Sequence, residues 1–325
     1  MSDSRRLGLP LLPVLALAGC GHYAEFNLPP LPGPAPVPLA ISLQPDPVFL
    51  PASAGWDSAE VLNPSVLLHD RQYLNFYSGY DGKIWHTGVA TSPDGAAWTR
   101  RALILSPDPA TWEQDYIAAN GSTLFRSGEF LSWYEGGGHE TEKRIGLARS
   151  TDGVHFTKER TPVLDVGPYQ SWDERAVADP YVFETGGWLY MYYLGQDRAR
   201  RQRIGVARSQ DGISWEKLRA NPVIELDDGN IGAPAVVIWK GRYRMLITLT
   251  GADQHRRLAA FWSNDGVHWS REPGEISGAQ PWDSIAVCDP TVVVEEDRVR
   301  LWFGGGDSTR PDEGLHGRIG MGTIQ

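Results

Sequence analysis

The sequence predicts an all-β chain, a five-bladed β-propeller whose N-terminal strand closes the last blade. Composition is the first of three observations behind this. With 36 Gly, 24 Pro and 10% aromatic residues in 325, the chain suits many short strands joined by tight turns. The second is a repeated turn. Ser92-Pro93-Asp94-Gly95 returns as Ser150-Thr151-Asp152-Gly153, Ser209-Gln210-Asp211-Gly212 and Ser263-Asn264-Asp265-Gly266. Asp-Gly between apolar runs is a strong hairpin signal, because glycine accepts positive φ without penalty. The third is a marker ahead of each copy: Trp56-Asp57, Trp112-Glu113, Trp172-Asp173 and Trp282-Asp283, with Asp228-Gly229 in the fourth slot. A repeat of about 55 residues has the length of a propeller blade.

Taken in chain order, residues 1–19 read as a signal peptide. Arg5 and Arg6 precede a short apolar run that ends in Leu17-Ala18-Gly19-Cys20. Those four residues resemble the bacterial lipobox, which implies cleavage before Cys20 and a lipid on its thiol. The protein is then expected as a monomeric, exported lipoprotein of the cell envelope. Gly21 after the cysteine favours the outer over the inner membrane. Residues 20–40 are rich in proline and read as a stiff tether. Residues 41–325 are the propeller.

Within each unit a Pro-started apolar run leads to an aromatic run, then Gly-x-Asp, a third strand, the Asp-Gly turn and a short fourth strand. The third unit has them as Asp179-Pro180-Tyr181-Val182-Phe183, Trp188 to Tyr193, and Arg203 to Ser209. The fifth unit stops after its third strand. Asp46-Pro47-Val48-Phe49-Leu50 resembles the fourth strands Thr161 to Leu164 and Asn221 to Ile224, so it is expected to complete the fifth blade.

The meander also sorts residues by face. If inner strands begin at the top, the Asp-Gly turns lie at the bottom and their aspartates brace their own backbone. Two top-face slots vary between blades. One is the residue before proline on the inner strand, expected at the strand start: Asn63, Asn120 (followed by Gly121), Asp179, Ala233 and Asp289. The other is Gly-x-Asp, with Asp81, Asp197, Asp253 and Asp307, and His139 where blade two departs.

These features together resemble the five-bladed propeller glycosidases of the arabinanase, invertase, levansucrase and β-mannoside phosphorylase type, across residues 41–325. The resemblance implies a carboxylate base or nucleophile, a stabilising aspartate and a glutamic acid around the central funnel. One carboxylate activates water or attacks while another protonates the leaving oxygen. Only Asp179 and Asp289 match the Asp-Pro element. Asn63 and Asn120 stand where relatives carry acids, and Gly232 stands where a Glu-Ala-Pro glutamate would be. The third acid is left among Glu135, Glu174 and Asp115. Asn63, Asn120, His139, Arg198 and Arg256 are the expected substrate contacts, the arginines belonging to two basic runs in neighbouring top hairpins.

The leading reading is a hydrolase-like propeller acting on an oligosaccharide or polysaccharide of furanoside or mannoside class. A non-catalytic glycan-binding or scaffold propeller is the alternative. An anionic-sugar enzyme, or a phosphorylase whose arginines hold phosphate, is third. The formal charge of −10 argues against nucleic acid as a partner. No metal-ligand spacing, phosphate loop or nucleophile elbow occurs, so no cofactor is expected; the eight scattered histidines leave an axial metal ion an open question.

Overall fold

The computed structural model describes residues 23–34, 37–296 and 298–325; the signal peptide and Cys20 lie outside the described residues. Antiparallel meanders of four strands repeat around an axis. Blade one has an inner strand in two pieces, Glu60–Leu62 and Val66–His69, followed by Gln72–Tyr80, Trp85–Ser92 and Thr99–Leu105. The inner strands of blades two to five are Ile117–Arg126, Ala176–Thr185, Asn230–Trp239 and Ala286–Val294. Leu164 and Ile224 bridge to the third strands of blades two and three, as the sequence pattern predicts for fourth strands.

Closure follows the expected route. Ile41–Leu43 pairs antiparallel with Arg318–Ile324, and Phe49 bridges Ile319. The outer strand of blade five therefore comes from the N-terminal side and begins earlier than Asp46.

The Asp-Gly turns form as expected. In each, the aspartate accepts two backbone N–H groups and the preceding serine caps the glycine N–H at 2.9 Å. The Trp-Asp markers are caps between strands. Trp56, Trp172 and Trp282 lie against Gly79, Gly195 and Gly305, where a Cβ would collide with the indole. Asp57, Glu113 and Asp173 each face a cation from an outer strand, at 2.6 Å, in Arg100, Lys158 and Lys217.

Two expectations need correction. The proline-rich segment is a docked strap over residues 23–34 and 37–40. Tyr23–Ala24 lies parallel to Glu216–Leu218, and Leu28 is buried against Gly266. Arg242 takes the carbonyls of Gly33 and Pro34, and Arg244 that of Val37. A chain rich in proline leaves its carbonyls without local donors, and the arginines supply them.

The second correction concerns the inner strands. The residue before proline is inside the strand, at a bulge. Register shifts fall between Ala119 and Ser122, Ala178 and Tyr181, Gly232 and Ala235, and Cys288 and Thr291. Proline is tolerated there because the bulge already interrupts the ladder.

Candidate active site

At each of the four bulges, and at the break in the inner strand of blade one, one residue takes left-handed backbone: Asn120 (φ 49), Asp179 (47), Ala233 (45), Asp289 (50) and Asn63 (47). Such a conformation costs roughly 1 kcal/mol for a non-glycine residue and persists where surrounding structure enforces it. Here it brings all five to the mouth of one axial funnel, whose empty space, including the part open to solvent, is about 350 Å³.

A ring of bonds between blades enforces the arrangement. Val66 N–H donates to Thr291 Oγ1, Thr123 N–H to Ser65 Oγ, and Val182 N–H to Ser122 Oγ. Asp289 N–H donates to Thr248 Oγ1 at 2.9 Å, and Ala233 N–H to Asp179 Oδ2 at 3.1 Å. Four of the junctions use a hydroxyl; the junction of blades three and four uses the Asp179 carboxylate. Glycine at 232 makes room for it, since a Cβ there would come within 3.0 Å of Asp179 Oδ2 and 2.8 Å of Leu194. The glutamate missing from blade four is thus replaced by space for an aspartate from blade three.

The third carboxyl is Glu135, on the second strand of blade two, opposite Ala119 and one residue from the bulge. Asn120 ties it to the ring. Ser78 Oγ donates to Asn120 Oδ1 at 3.1 Å, which turns the amide NH2 toward Glu135 Oε2 at 3.3 Å. The same amide also favours the charged form of Asp179.

All three acids are pushed upward. Glu135 rises to about 8, through burial first and the charge of Asp179 second. Burial and Asp312 raise Asp289 to about 7. Asp179 reaches about 6, because the Ala233 N–H and Asn120 partly offset its burial. Cations near them are Lys143, over the Tyr116 ring, and Arg256, bonded to Asp312. Burial lowers the Lys143 pKa while Glu135 opposes that change. Burial likewise opposes the Arg256 charge, but Asp312 and Asp289 outweigh it and the pKa is raised.

Of the residues expected from sequence, Asp179, Asp289, Asn63 and Asn120 line the funnel, and Glu135 joins them. Asn63 Oδ1 is buried without a hydrogen-bond partner. Asp115 is exposed in a link. Glu174 accepts from Gln170 N–H and from Arg198, which hold it below the ordinary carboxylate range. Neither is part of the carboxyl group around the axis. Arg198 is spent on Glu174 and Tyr169, Arg201 on Glu225, and Arg257 on Asp253, so the basic runs mostly brace their own loops. His139 sits exposed beside Glu140 and Tyr116. Sequence reasoning passed over Lys143, Tyr116 and Asp312, which carry no repeat signal. Among the described residues no group of three or more His, Cys, Asp or Glu is placed to hold a metal ion.

Comparison with known proteins fits this geometry. Residues 121–310 match the family described as β-1,4-mannooligosaccharide phosphorylase, a span that holds Glu135, Asp179, Arg256 and Asp289. The chain belongs to that family. An uncharacterized protein of Mycobacterium tuberculosis is 25% identical over 224 residues, 64% of this chain and 75% of that protein. A 1,2-β-oligomannan phosphorylase of a Thermoanaerobacter species is 32% identical over 134 residues, covering 39% of this chain and 40% of the phosphorylase. A solved structure, described as showing that this family of mannoside phosphorylases contains hydrolases targeting β-1,2 mannosidic linkages in Candida mannan, has a TM-score of 0.67 at 17% identity. It covers 96% of this chain and 95% of its own. The resemblance to five-bladed propeller glycosidases is borne out, and the mannoside phosphorylase family is the branch to which the chain is assigned.

Proposed function

We propose that the chain cleaves β-linked mannosides in the funnel, with water as the attacking group. The observation that carries the reading is the set of three carboxyl groups gathered by the bulges and by Asn120, all with raised pKa. Glu135, raised furthest, keeps its proton near neutral pH and gives it to the leaving oxygen. Asp289 takes a proton from water. Asp179, held by backbone and amide donors, stays charged and stabilises the positive sugar ring of the transition state. Asn63 and Asn120 offer amide groups to sugar hydroxyls.

Family membership supports mannosides as the substrate class. Water is favoured over phosphate by charge. With Glu135 protonated, Asp179, Asp289, Asp312 and Glu313 still outnumber Lys143 and Arg256, and that field repels an incoming dianion. Phosphorolysis is the second reading, favoured by the family description and by the presence of those two cations. The test is product analysis on β-1,2- and β-1,4-linked mannobiose with and without inorganic phosphate. Mannose released at a phosphate-independent rate supports hydrolysis. Mannose 1-phosphate supports the second reading, and binding without turnover supports a glycan-binding propeller.

We further propose that Cys20 carries the lipid and that the funnel faces away from the membrane. Fourth strands run from bottom to top, and Tyr23–Ala24 runs parallel to one of them, so the chain arrives from the bottom side. Metabolic labelling with a radioactive fatty acid, lost in Cys20→Ala, checks the modification.

A further inference from the structure

The top hairpin of blade five reaches to its neighbours on the funnel side. Its tip, Asp312–Gly314, is a short 3-10 turn. Asp312 accepts from the Arg256 guanidinium of blade four, and Glu313 from the Tyr116 hydroxyl at the start of blade two. Gly317 N–H, at its return, donates to Glu60 of blade one. One hairpin thereby bonds three other blades.

The Arg256 guanidinium acts on two of the carboxyl groups around the axis, Asp179 and Asp289, and its side chain is 17% exposed. A planar guanidinium at that place is the group a tetrahedral oxyanion would seek, because its forked donors match two oxygens. In this chain a carboxylate from the same molecule already occupies it. Asp312 lies just beyond residues 121–310, which match the family.

We propose that Asp312 selects the acceptor: its carboxylate fills the anion-binding face of Arg256, keeps inorganic phosphate out of the funnel, and leaves water as the attacking group. This rests on the reading that the funnel cleaves mannosides. In that reaction the water oxygen bonds to the anomeric carbon as the glycosidic C–O bond breaks. The bonding pair goes to the leaving oxygen, which takes the Glu135 proton, while the water proton passes to Asp289. With phosphate admitted, a phosphate oxygen forms the new bond instead and the product is mannose 1-phosphate. Asp312 removes that second outcome by neutralising and covering the Arg256 guanidinium.

The experiment is titration of the full mature chain with inorganic phosphate by calorimetry, alongside Asp312→Asn and the double variant Asp312→Asn/Arg256→Gln. Asparagine has nearly the volume of aspartate and position 312 is half-buried on a short turn; circular dichroism and melting confirm that each variant is folded. The expected result is at least a tenfold gain in phosphate affinity in Asp312→Asn, abolished by the second change. Product analysis of Asp312→Asn then gives mannose 1-phosphate in addition to mannose. Equal phosphate affinity in wild type and Asp312→Asn overturns the role of Asp312, and so does a gain that survives loss of Arg256. Failure of the underlying reading is distinct: it is absence of mannoside turnover by the wild-type chain, measured without phosphate.

Discussion

Aspartate serves the bottom and the top of this propeller in opposite ways. At the bottom, Asp94 and Asp265 accept the N–H groups of their own turns, and their pKa values fall to about 2. The first cause is the Ala97 N–H at Asp94; at Asp265 the His268 N–H and ring outweigh partial burial. At the top, Asp179 and Asp289 rise to about 6 and 7, chiefly through burial. The turn aspartate recurs in four blades and the bulge aspartate in two, each beside a turn or bulge. What separates them is the supply of donors. A turn aspartate closes a ring on backbone it already belongs to, whereas the carboxylate of Asp179 takes a donor from blade four and that of Asp289 the Cys288 thiol, and both meet other acids.

The contrast makes opposite predictions for neutralising the two classes. The largest effect is expected outside both, at the third carboxyl. Glu135→Gln should lower kcat on β-mannobiose by about 10³-fold or more, since a general acid and its electrostatic role are lost together. A steady-state assay at neutral pH reads this, with Asp265→Asn as the control that retains turnover.

Next in size is the strap. Leu28→Ala removes a buried side chain that packs on the bottom turn at Gly266 and should destabilise the fold by about 2–4 kcal/mol. Denaturant unfolding measures it. A cost near zero would mean that the segment is the loose tether its prolines suggest.

Stability against pH sharpens the comparison further. A carboxyl raised in the folded state binds its proton more tightly there than in the unfolded chain, so stability is full below pH ~4 and declines as pH climbs through the folded value. Asp289→Asn should therefore stabilise the protein at pH 8, by roughly 1–3 kcal/mol, and leave it unchanged at pH 4. Melting curves at the two pH values give the answer. The turn aspartates have the opposite sign: their contribution is present above pH ~4 and is lost as pH falls toward 2. Asp265→Asn, the smallest effect, should cost about 1 kcal/mol at pH 7 and less at pH 3.

The sequence made one region more legible than the other for the same physical reason. Blade count, the Asp-Gly turns and the closing strand rest on local hydrogen bonding and on periodicity, which repeat in plain text. Asp179, Asp289, Asn63 and Asn120 were readable as a varying slot on a repeated frame. Their placement inside a bulge was not, because Pro180 and Pro290 read equally well as a strand start. Glu135 becomes compelling only once register is known: it occupies the second-strand position held by Ser78, Leu194, Thr248 and Gly304 in the other blades. The strap was hidden because proline fixes local extension but says nothing about the arginines it will meet. Asp312 was hidden because its hairpin belongs to blade five while its partner belongs to blade four.

The measurement closest to the central claim is turnover of β-linked mannobiose by wild type, Asp179→Asn and Asp289→Asn at matched concentration, each verified as folded. The account predicts an active wild type and two variants reduced by at least 10²-fold, with Asp289→Asn more heat-resistant than wild type at pH 8. Wild-type rates in both variants would contradict it and remove the bulge aspartates from the chemistry.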